Sequence, residues 1–319
     1  MLSGRIRSGR AEHFAIDVDY AEWTFLQMND VYELMPLNNG QDGGLARVAA
    51  IQKRLMNENR QTYTFLAGDF VSPSALSQAK VNGTALNGKQ MISSLNAVGV
   101  NYVTFGNHEF DLKRNDLIQR MRESNFSWLA DLNTGGSSPY VTIMNGTSMI
   151  PFIQRFLQSI RIKYDVLVAL THCDLKMDIA LAEGGHDHEN YYLVRGERET
   201  RISKADTNAF SVYIHRFAFN LYTRKLFVDS KLVRITPEIP DDFLSASVVK
   251  QWFSVVPGAV LARVLTYSVS ISGDEMFLSY CGVKSIDEKS WMLEWDGVTN
   301  IENNNNLMLT VGTLDYTQN

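Results

Sequence analysis

The sequence has 319 residues, 45% of them hydrophobic, which is enough for one large domain or two smaller ones with a buried core. Its net charge is -5 and its Lys and Arg residues are scattered, which argues against a nucleic-acid groove or a patch that binds anionic membranes. The two cysteines, Cys173 and Cys281, provide no disulfide framework, and no apolar run reaches the roughly 18 residues of a membrane span. Residues 1–10 lack the apolar segment of a secretory signal. These features predict a cytoplasmic protein and leave its oligomeric state open.

The first half of the chain alternates predicted strands and helices. Strands are expected at 23–28, 62–67, 101–105 and 126–130, and helices at 45–57, 88–98 and 115–124. The helix at 45–57 has an apolar stripe with a period of about 3.6 residues, which includes Leu45, Val48 and Leu55. This repeated strand–helix winding predicts right-handed crossovers and a largely parallel sheet.

The second half of the chain has a different pattern. Helices are expected at 149–160, 174–183 and 241–255, an apolar strand at 164–170, and antiparallel hairpin strands at 191–194, 209–222 and 225–235. From residue 259 onward there is no clear periodicity. The change from winding to hairpins predicts two sheets packed face to face, with helices on the outside.

Polar clusters follow several of the predicted strands, at the edge where α/β sheets bind ligands. They are Asn29-Asp30, Gly68-Asp69, the Gly-Asn-His-Glu-Phe-Asp sequence at 106–111, Thr171-His172 and the Gly-Gly-His-Asp-His sequence at 184–188. Any one Asp or Asn in such a loop is more often a turn former than a ligand. Together, however, carboxylate, amide and imidazole groups form a mixed ligand set that suits Mn, Fe, Zn or Co better than Ca or Mg.

The order of these clusters resembles the calcineurin-like metallophosphoesterase superfamily, and more narrowly its 5′-nucleotidase / UDP-sugar hydrolase / 2′,3′-cyclic phosphodiesterase family. The matching segments are residues 29–34, 43–47, 68–74, 106–111, 170–172 and 184–188. The resemblance implies an α/β fold, a four-layer αββα sandwich of two mixed sheets flanked by helices, over residues 23–236. Residues 1–22 are expected to be a flexible leader. Residues 237–319 are expected to be a helix and an irregular extension, unlike the family's substrate domain.

The resemblance also implies two divalent transition metal ions and a small phosphorylated substrate. The implied ligands are Asp30 and His188 for one metal, Asn107, His172 and His186 for the other, and Asp69 as the bridge. A shared carboxylate screens the repulsion between two cations about 3.5–4 Å apart. His108 would stabilise the transition state or protonate the leaving oxygen, and Asp111 would orient His108.

The sequence departs from the family pattern in three ways. Tyr32 stands where the family has a histidine, and it is either a phenolate ligand or a residue packed beside a weakened site. Two pieces of the pattern have no counterpart, a hairpin where the chain has residues 145–149 and an apolar strand directly before Gly184. Either these residues were lost from the sequence or the protein is shortened and poor in metal. The family's base-stacking domain is also not recognisable after residue 235.

Two functions of different class therefore stay open. The first is a dinuclear-metal phosphoesterase that hydrolyses a phosphate ester, most simply a nucleotide-type monoester, by attack of an activated water. The second is a degenerate scaffold of the same fold that binds a ligand or partner without turnover. The intact ligand positions favour the enzyme, whereas Tyr32 and the missing pieces favour the scaffold.

Overall fold

The computed structural model describes residues 19–129 except 79, 82 and 83, residues 164–178 except 176 and 177, residues 190–257 except 197 and 198, and three later strands. The strands are β1 (Tyr20–Met28), β2 (Thr62–Ala67), β3 (Lys80–Val81), β4 (Thr84–Ala85), β5 (Tyr102–Thr104), β6 (Ser127–Leu129), β7 (Tyr191–Arg195), β8 (Thr200–Lys204), β9 (Ser211–Asn220), β10 (Leu226–Arg234), β11 (Ser254–Pro257), β12 (Val283–Ser285), β13 (Trp291–Leu293) and β14 (Met308–Val311). The α-helices are α1 (Leu45–Glu58), α2 (Ala75–Gln78), α3 (Lys89–Val98), α4 (Arg114–Glu123) and α5 (Phe243–Lys250).

A six-stranded mixed sheet with the order β10-β9-β1-β2-β5-β6 forms the centre of the fold. Strands β1, β2, β5 and β6 are parallel, as the strand–helix winding predicts. The carboxyl ends of β1, β2 and β5 therefore meet at one edge of the sheet. The loops that follow these three strands carry Asp30, Asp69 and residues 106–111.

The predicted hairpin at 209–222 and 225–235 is confirmed as β9 and β10. It does not form a separate sheet, because β9 pairs antiparallel with β1 and extends the central sheet. Strand β8 was not predicted, and it pairs with β7 in a two-stranded hairpin. Beyond residue 259, where no period was found, β12 pairs with β13, and β14 pairs with β11, which lies before that residue.

One face of the sheet is covered by helices. Leu26 and Met28 of β1, Leu66 of β2 and Val103 of β5 are buried on this side in one hydrophobic cluster with α1, α3 and Val249 of α5. The apolar stripe of α1 predicted from its period is the buried face of that helix. Helix α5 confirms the predicted closing helix, but it is shorter than the expected 241–255.

The opposite face of the sheet is aromatic and is contacted by the β7–β8 hairpin. Gln27 alternates with Leu26 and Met28 along β1, so its side chain lies on this second face. The Gln27 side chain exchanges two hydrogen bonds with Ser203 of β8, at 2.9 and 2.7 Å. On the same face, Phe25 packs against Phe65 with ring centroids 4.6 Å apart. The predicted α/β class, with a mixed sheet flanked by helices, is thus confirmed.

The predicted strand at 164–170 is wrong, because this segment has no strand assignment. The apolar run predicted burial by neighbouring strands, but Leu167 and Val168 are 56% and 43% exposed, and no other described strand pairs with this segment. Of the helix predicted at 174–183, three residues are described: Leu175 and Asp178 are helical, whereas Asp174 is not. The helix predicted at 149–160 and both shortened segments lie outside the described residues. Among the described residues, no helix is both long and apolar enough to cross a membrane.

Candidate metal centre

Two aspartates begin the site, each two residues after a parallel strand. Asp30 follows β1 and Asp69 follows β2, and both have a left-handed backbone, with φ of 51° and 56°. This conformation is uncommon for residues other than glycine, and strained residues of this kind cluster at functional sites. The Asp30 N–H donates to the Gly68 carbonyl at 3.1 Å, which holds the two turns side by side. Both aspartates are almost fully buried.

His172 is the third member of the cluster. Its Nδ1–H donates to the Ala67 carbonyl at 2.7 Å, which fixes the ring so that Nε2 faces the aspartates. Nε2 lies 3.1 Å from Asp69 Oδ2 and 3.8 Å from Asp30 Oδ1. One ligand atom from each of the three residues lies within 4.8 Å of the other two. The ring passes so close to Gly68 that a Cβ there would approach Nδ1 to 2.6 Å.

The electrostatics of the cluster call for a cation. Burial lowers the pKa of His172, but its hydrogen bond to Asp69 and the charges of Asp69 and Asp30 outweigh burial and raise the pKa to about 9. Burial raises the pKa of Asp69, but the hydrogen bond and charge of His172 hold it below the ordinary value. Two buried carboxylates side by side are stable only with positive charge beside them. Without a metal, the protonated His172 supplies this charge; a divalent transition metal ion would replace that proton, and two carboxylates with an imidazole nitrogen are donors that suit such an ion.

The loop after β5 is tied to this cluster by Glu109, a residue that the sequence pattern alone did not indicate as part of the site. The fully buried Glu109 carboxylate accepts the N–H groups of Asp69, Phe70, Val71 and Gly106 at 2.6–3.2 Å. Burial and the charge of Asp69 raise the pKa of Glu109 to about 7, against the lowering effect of three of these N–H groups. A Cβ on Gly106 would overlap the Asp69 carboxylate, so this close approach requires glycine. Glu109 thus fixes the position of Asp69.

His108 and Asp111 form a pair beside the cluster, as the resemblance implied. The His108 backbone N–H donates to Asp69 Oδ1 at 2.8 Å, and the His108 Nδ1 lies 2.7 Å from Asp111 Oδ2. Ser72 Oγ donates to the same Asp111 oxygen at 3.3 Å. The His108 side chain is 34% exposed, so its ring is accessible to a ligand.

The remaining implied ligands are placed less directly. Asn107 lies between Gly106 and His108, whose backbones both contact Asp69, so it stands next to the cluster. His186 and His188 lie outside the described residues. The sequence-predicted set is thus brought together at Asp30, Asp69 and His172, with Asn107 beside them.

Tyr32 lies inside the site and points toward its centre. Its hydroxyl donates to Asp69 Oδ2 at 3.0 Å, and its ring packs edge to face with His108 at 6.1 Å. Burial and the charges of Asp69 and Asp30 raise the pKa of Tyr32 above its ordinary value. This arrangement favours a neutral phenol that hydrogen-bonds to Asp69 over a phenolate ligand.

The sequence model of the calcineurin-like phosphoesterase family matches residues 24–215. The chain belongs to this family. Its membership supports a hydrolase that binds metal, with Asp30, Asp69 and His172 as the candidate metal group. The metallophosphoesterase resemblance is therefore confirmed, whereas the domain boundaries at 22 and 236 stay a prediction.

Solved structures with the same fold include proteins of different activity. A 5′-nucleotidase precursor from Thermus thermophilus is 17% identical with a TM-score of 0.58, over 77% of this chain and 60% of its own. The calcineurin-like phosphoesterase YfkN of Bacillus subtilis is 14% identical with a TM-score of 0.53, over 73% and 97%. The Thermus thermophilus sulfate thiohydrolase SoxB is 13% identical with a TM-score of 0.55, over 72% and 60%. Such low identities show the fold alone. No curated protein matches the chain significantly.

Proposed function

We propose that this protein is a metal-dependent phosphoric ester hydrolase that acts on a small phosphate monoester of the nucleotide type. The observation that carries the proposal is the buried group of Asp30, Asp69 and His172 at the carboxyl ends of parallel strands. The exposed His108, held by Asp111, stands directly beside that group. A cation-binding group next to a positioned imidazole can neutralise phosphoryl charge and donate a proton, which are two contributions to phosphate-ester hydrolysis.

Asp30, Asp69 and His172 would hold metal, and we propose that Asn107, His186 and His188 complete two sites with Asp69 as the bridge. When bound, the metal ions supply positive charge that lowers the pKa of a water and neutralises the phosphoryl oxygens. The protein contributes the alignment of these ligands. The Ala67 carbonyl orients His172, and Glu109 and the His108 N–H hold Asp69.

His108 is the proposed proton donor to the leaving oxygen. With Asp111 accepting from Nδ1–H, the imidazolium form of His108 would donate its second proton from Nε2 and leave a neutral ring. A positioned proton donor typically contributes a factor of about 10²–10⁴ to the rate.

The choice of a nucleotide-type substrate depends on the likeness to 5′-nucleotidases and is the finer part of the proposal. The same fold is found in a sulfate thiohydrolase, so the leaving group must be identified by assay. The cytoplasmic location and the absence of nucleic-acid and membrane partners remain predictions from composition.

The scaffold hypothesis is favoured by one observation, the hydrogen bond from Tyr32 to Asp69 Oδ2. A phenol that donates to the proposed bridging carboxylate competes with a metal for one of its oxygens. Under this hypothesis the protein, after reconstitution with Mn²⁺ and gel filtration, would hold fewer than about one metal per chain. Elemental analysis of the reconstituted protein measures this ratio directly.

The proposed activity is tested with a chromogenic aryl phosphate in the presence of Mn²⁺. We expect hydrolysis by the wild-type protein and a loss of about 10²–10⁴ in kcat for His108→Ala, with bound Mn²⁺ unchanged. Glu58→Gln is the matched control, because Glu58 is exposed at the end of α1 and pairs with Arg216. Equal rates for the wild type and His108→Ala would refute the role of His108. No turnover by a fully metal-loaded wild type, with the aryl phosphate or nucleotide monophosphates, would favour the scaffold.

A further inference from the structure

A buried ion pair lies behind the metal centre, and the proposed function does not use it. Lys204 Nζ lies 3.0 Å from Asp178 Oδ2, and both side chains are completely buried. The ammonium group also lies over the ring of Tyr191, 5.5 Å from its centroid. Lys204 ends strand β8, and Asp178 follows the loop that carries His172.

The pair holds the backbone on both sides of His172. Lys204 Nζ donates to the Cys173 carbonyl at 2.6 Å, directly after His172. Asp178 Oδ1 accepts from Thr171 Oγ1 at 2.9 Å, directly before His172. The residues that flank His172 are thus tied to the two members of one ion pair.

The residues after Lys204 hold the other ligand loop. The Ala205 N–H donates to Asn29 Oδ1 at 2.8 Å, and Thr207 Oγ1 donates to the Asp30 carbonyl at 2.8 Å. One short segment, residues 204–207, therefore contacts both the loop of His172 and the loop of Asp30. These two loops are far apart in the sequence, and their separation determines whether Asp30 and His172 can share a cation.

Stability alone is a weak explanation for this pair. Removing two charges from water costs free energy that their attraction often fails to offset, and apolar replacements of similar volume are commonly neutral or stabilising. A fixed geometry is the better explanation, because groups behind a metal ligand orient it and tune its affinity.

We propose that Lys204 and Asp178 are positioning residues for His172. Their ion pair holds residues 171–173 so that the imidazole faces Asp30 and Asp69, and metal affinity depends on the intact pair. This inference rests on the metal site of the proposed function. Neither residue touches the metal or the substrate in this role.

The test measures Mn²⁺ affinity by isothermal titration calorimetry and thermal stability by circular dichroism for full-length variants. We expect Lys204→Met and Asp178→Asn each to weaken Mn²⁺ binding about 10–100-fold. Arg120→Met is the matched control, because Arg120 also pairs with a carboxylate, Glu123 at 2.8 Å, and donates to a backbone carbonyl, that of Leu86. The control should lose stability and keep wild-type affinity for Mn²⁺.

A double variant, Lys204→Met with Asp178→Leu, separates positioning from general stability. Without either charge the double variant should regain thermal stability, as buried pairs replaced by apolar residues do, but its Mn²⁺ affinity should stay about 10–100-fold weak. Three results would overturn the inference. They are a Mn²⁺ affinity of Lys204→Met within about twofold of the wild type, a recovery of Mn²⁺ affinity in the double variant, and a loss of Mn²⁺ affinity in Arg120→Met equal to that in Lys204→Met. A wild-type protein that binds no Mn²⁺ would instead contradict the proposed function itself.

Discussion

Glu109→Gln should destabilise the protein, because this carboxylate is the acceptor for four backbone N–H groups. Oε1 accepts Phe70 and Val71, and Oε2 accepts Asp69 and Gly106. Glutamine keeps one oxygen and replaces the other with an NH₂ group. Whichever way the amide lies, two buried N–H groups lose their acceptor and face another donor.

The expected cost follows from these two groups. A buried donor left without an acceptor costs about 1–3 kcal/mol, so two cost about 2–6 kcal/mol. Removing a buried charge beside Asp69 offsets part of this amount, so we expect a loss of about 3 kcal/mol in the free energy of unfolding. Urea unfolding monitored by far-UV circular dichroism measures the loss.

Glu123→Gln is the control for this experiment. Glu123 is partly exposed and accepts from the side chains of Arg120 and Gln119, so its loss should stay below about 1 kcal/mol. Glu109→Gln should also weaken Mn²⁺ binding, because Glu109 holds the Asp69 backbone. If its free energy of unfolding matched that of Glu123→Gln, the assignment of Glu109 as the link between the two loops would be refuted.

Three further predictions concern single residues. In Gly106→Ala the new Cβ overlaps the Asp69 carboxylate. The Mn²⁺ affinity measured by calorimetry should therefore fall, while the circular dichroism spectrum stays that of the wild type. An unchanged Mn²⁺ affinity would contradict this contact. Burial lowers the pKa of His215 from 6.5 to about 4. Between these pH values the folded state therefore binds fewer protons than the unfolded state. The free energy of unfolding should fall by about 3 kcal/mol as the pH drops through this window. His215→Asn should flatten this dependence in urea titrations at pH 7, 5 and 4, and an unchanged slope would rule His215 out as its source. Tyr32→His supplies an imidazole in place of the phenol that donates to Asp69, and it should raise the Mn²⁺ bound per chain in elemental analysis; a fall would show that Tyr32 supports the site.

The longer strands and helices of the first half could be predicted because each has its own periodic signal, whereas α2, β3 and β4 are too short to have one and were not predicted. The strand at 62–67 was predicted with the bounds of β2, and the helix at 45–57 differs from α1 by one residue. The prediction of a strand at 164–170 failed because an apolar run indicates burial, and burial depends on neighbouring segments that the run itself does not specify. Its Leu167 is 56% exposed. The joining of β9 to β1 is likewise a long-range pairing that no local pattern reports.

The candidate site was predictable where side-chain chemistry carried the signal. Asp30, Asp69 and His172 were identified through the resemblance of their motifs, in order, to the metallophosphoesterase family, and the structure places them together. Glu109 was missed because its partners are backbone N–H groups, which have no signature in the sequence. Lys204 and its ion pair with Asp178 depend on two segments that meet only in the fold. The supporting residues therefore needed the structure, whereas the proposed ligands did not.

The central claim is that Asp30, Asp69 and His172 hold a metal ion. It is tested most directly by anomalous X-ray scattering from crystals of the Mn²⁺-loaded protein. We expect an anomalous peak about 2.0–2.4 Å from the Asp30 and Asp69 carboxylates and from His172 Nε2, and a second peak on the other side of Asp69. Two results would contradict metal binding by Asp30, Asp69 and His172. One is the absence of a peak at these residues in fully Mn²⁺-soaked crystals, and the other is a peak that only other residues coordinate.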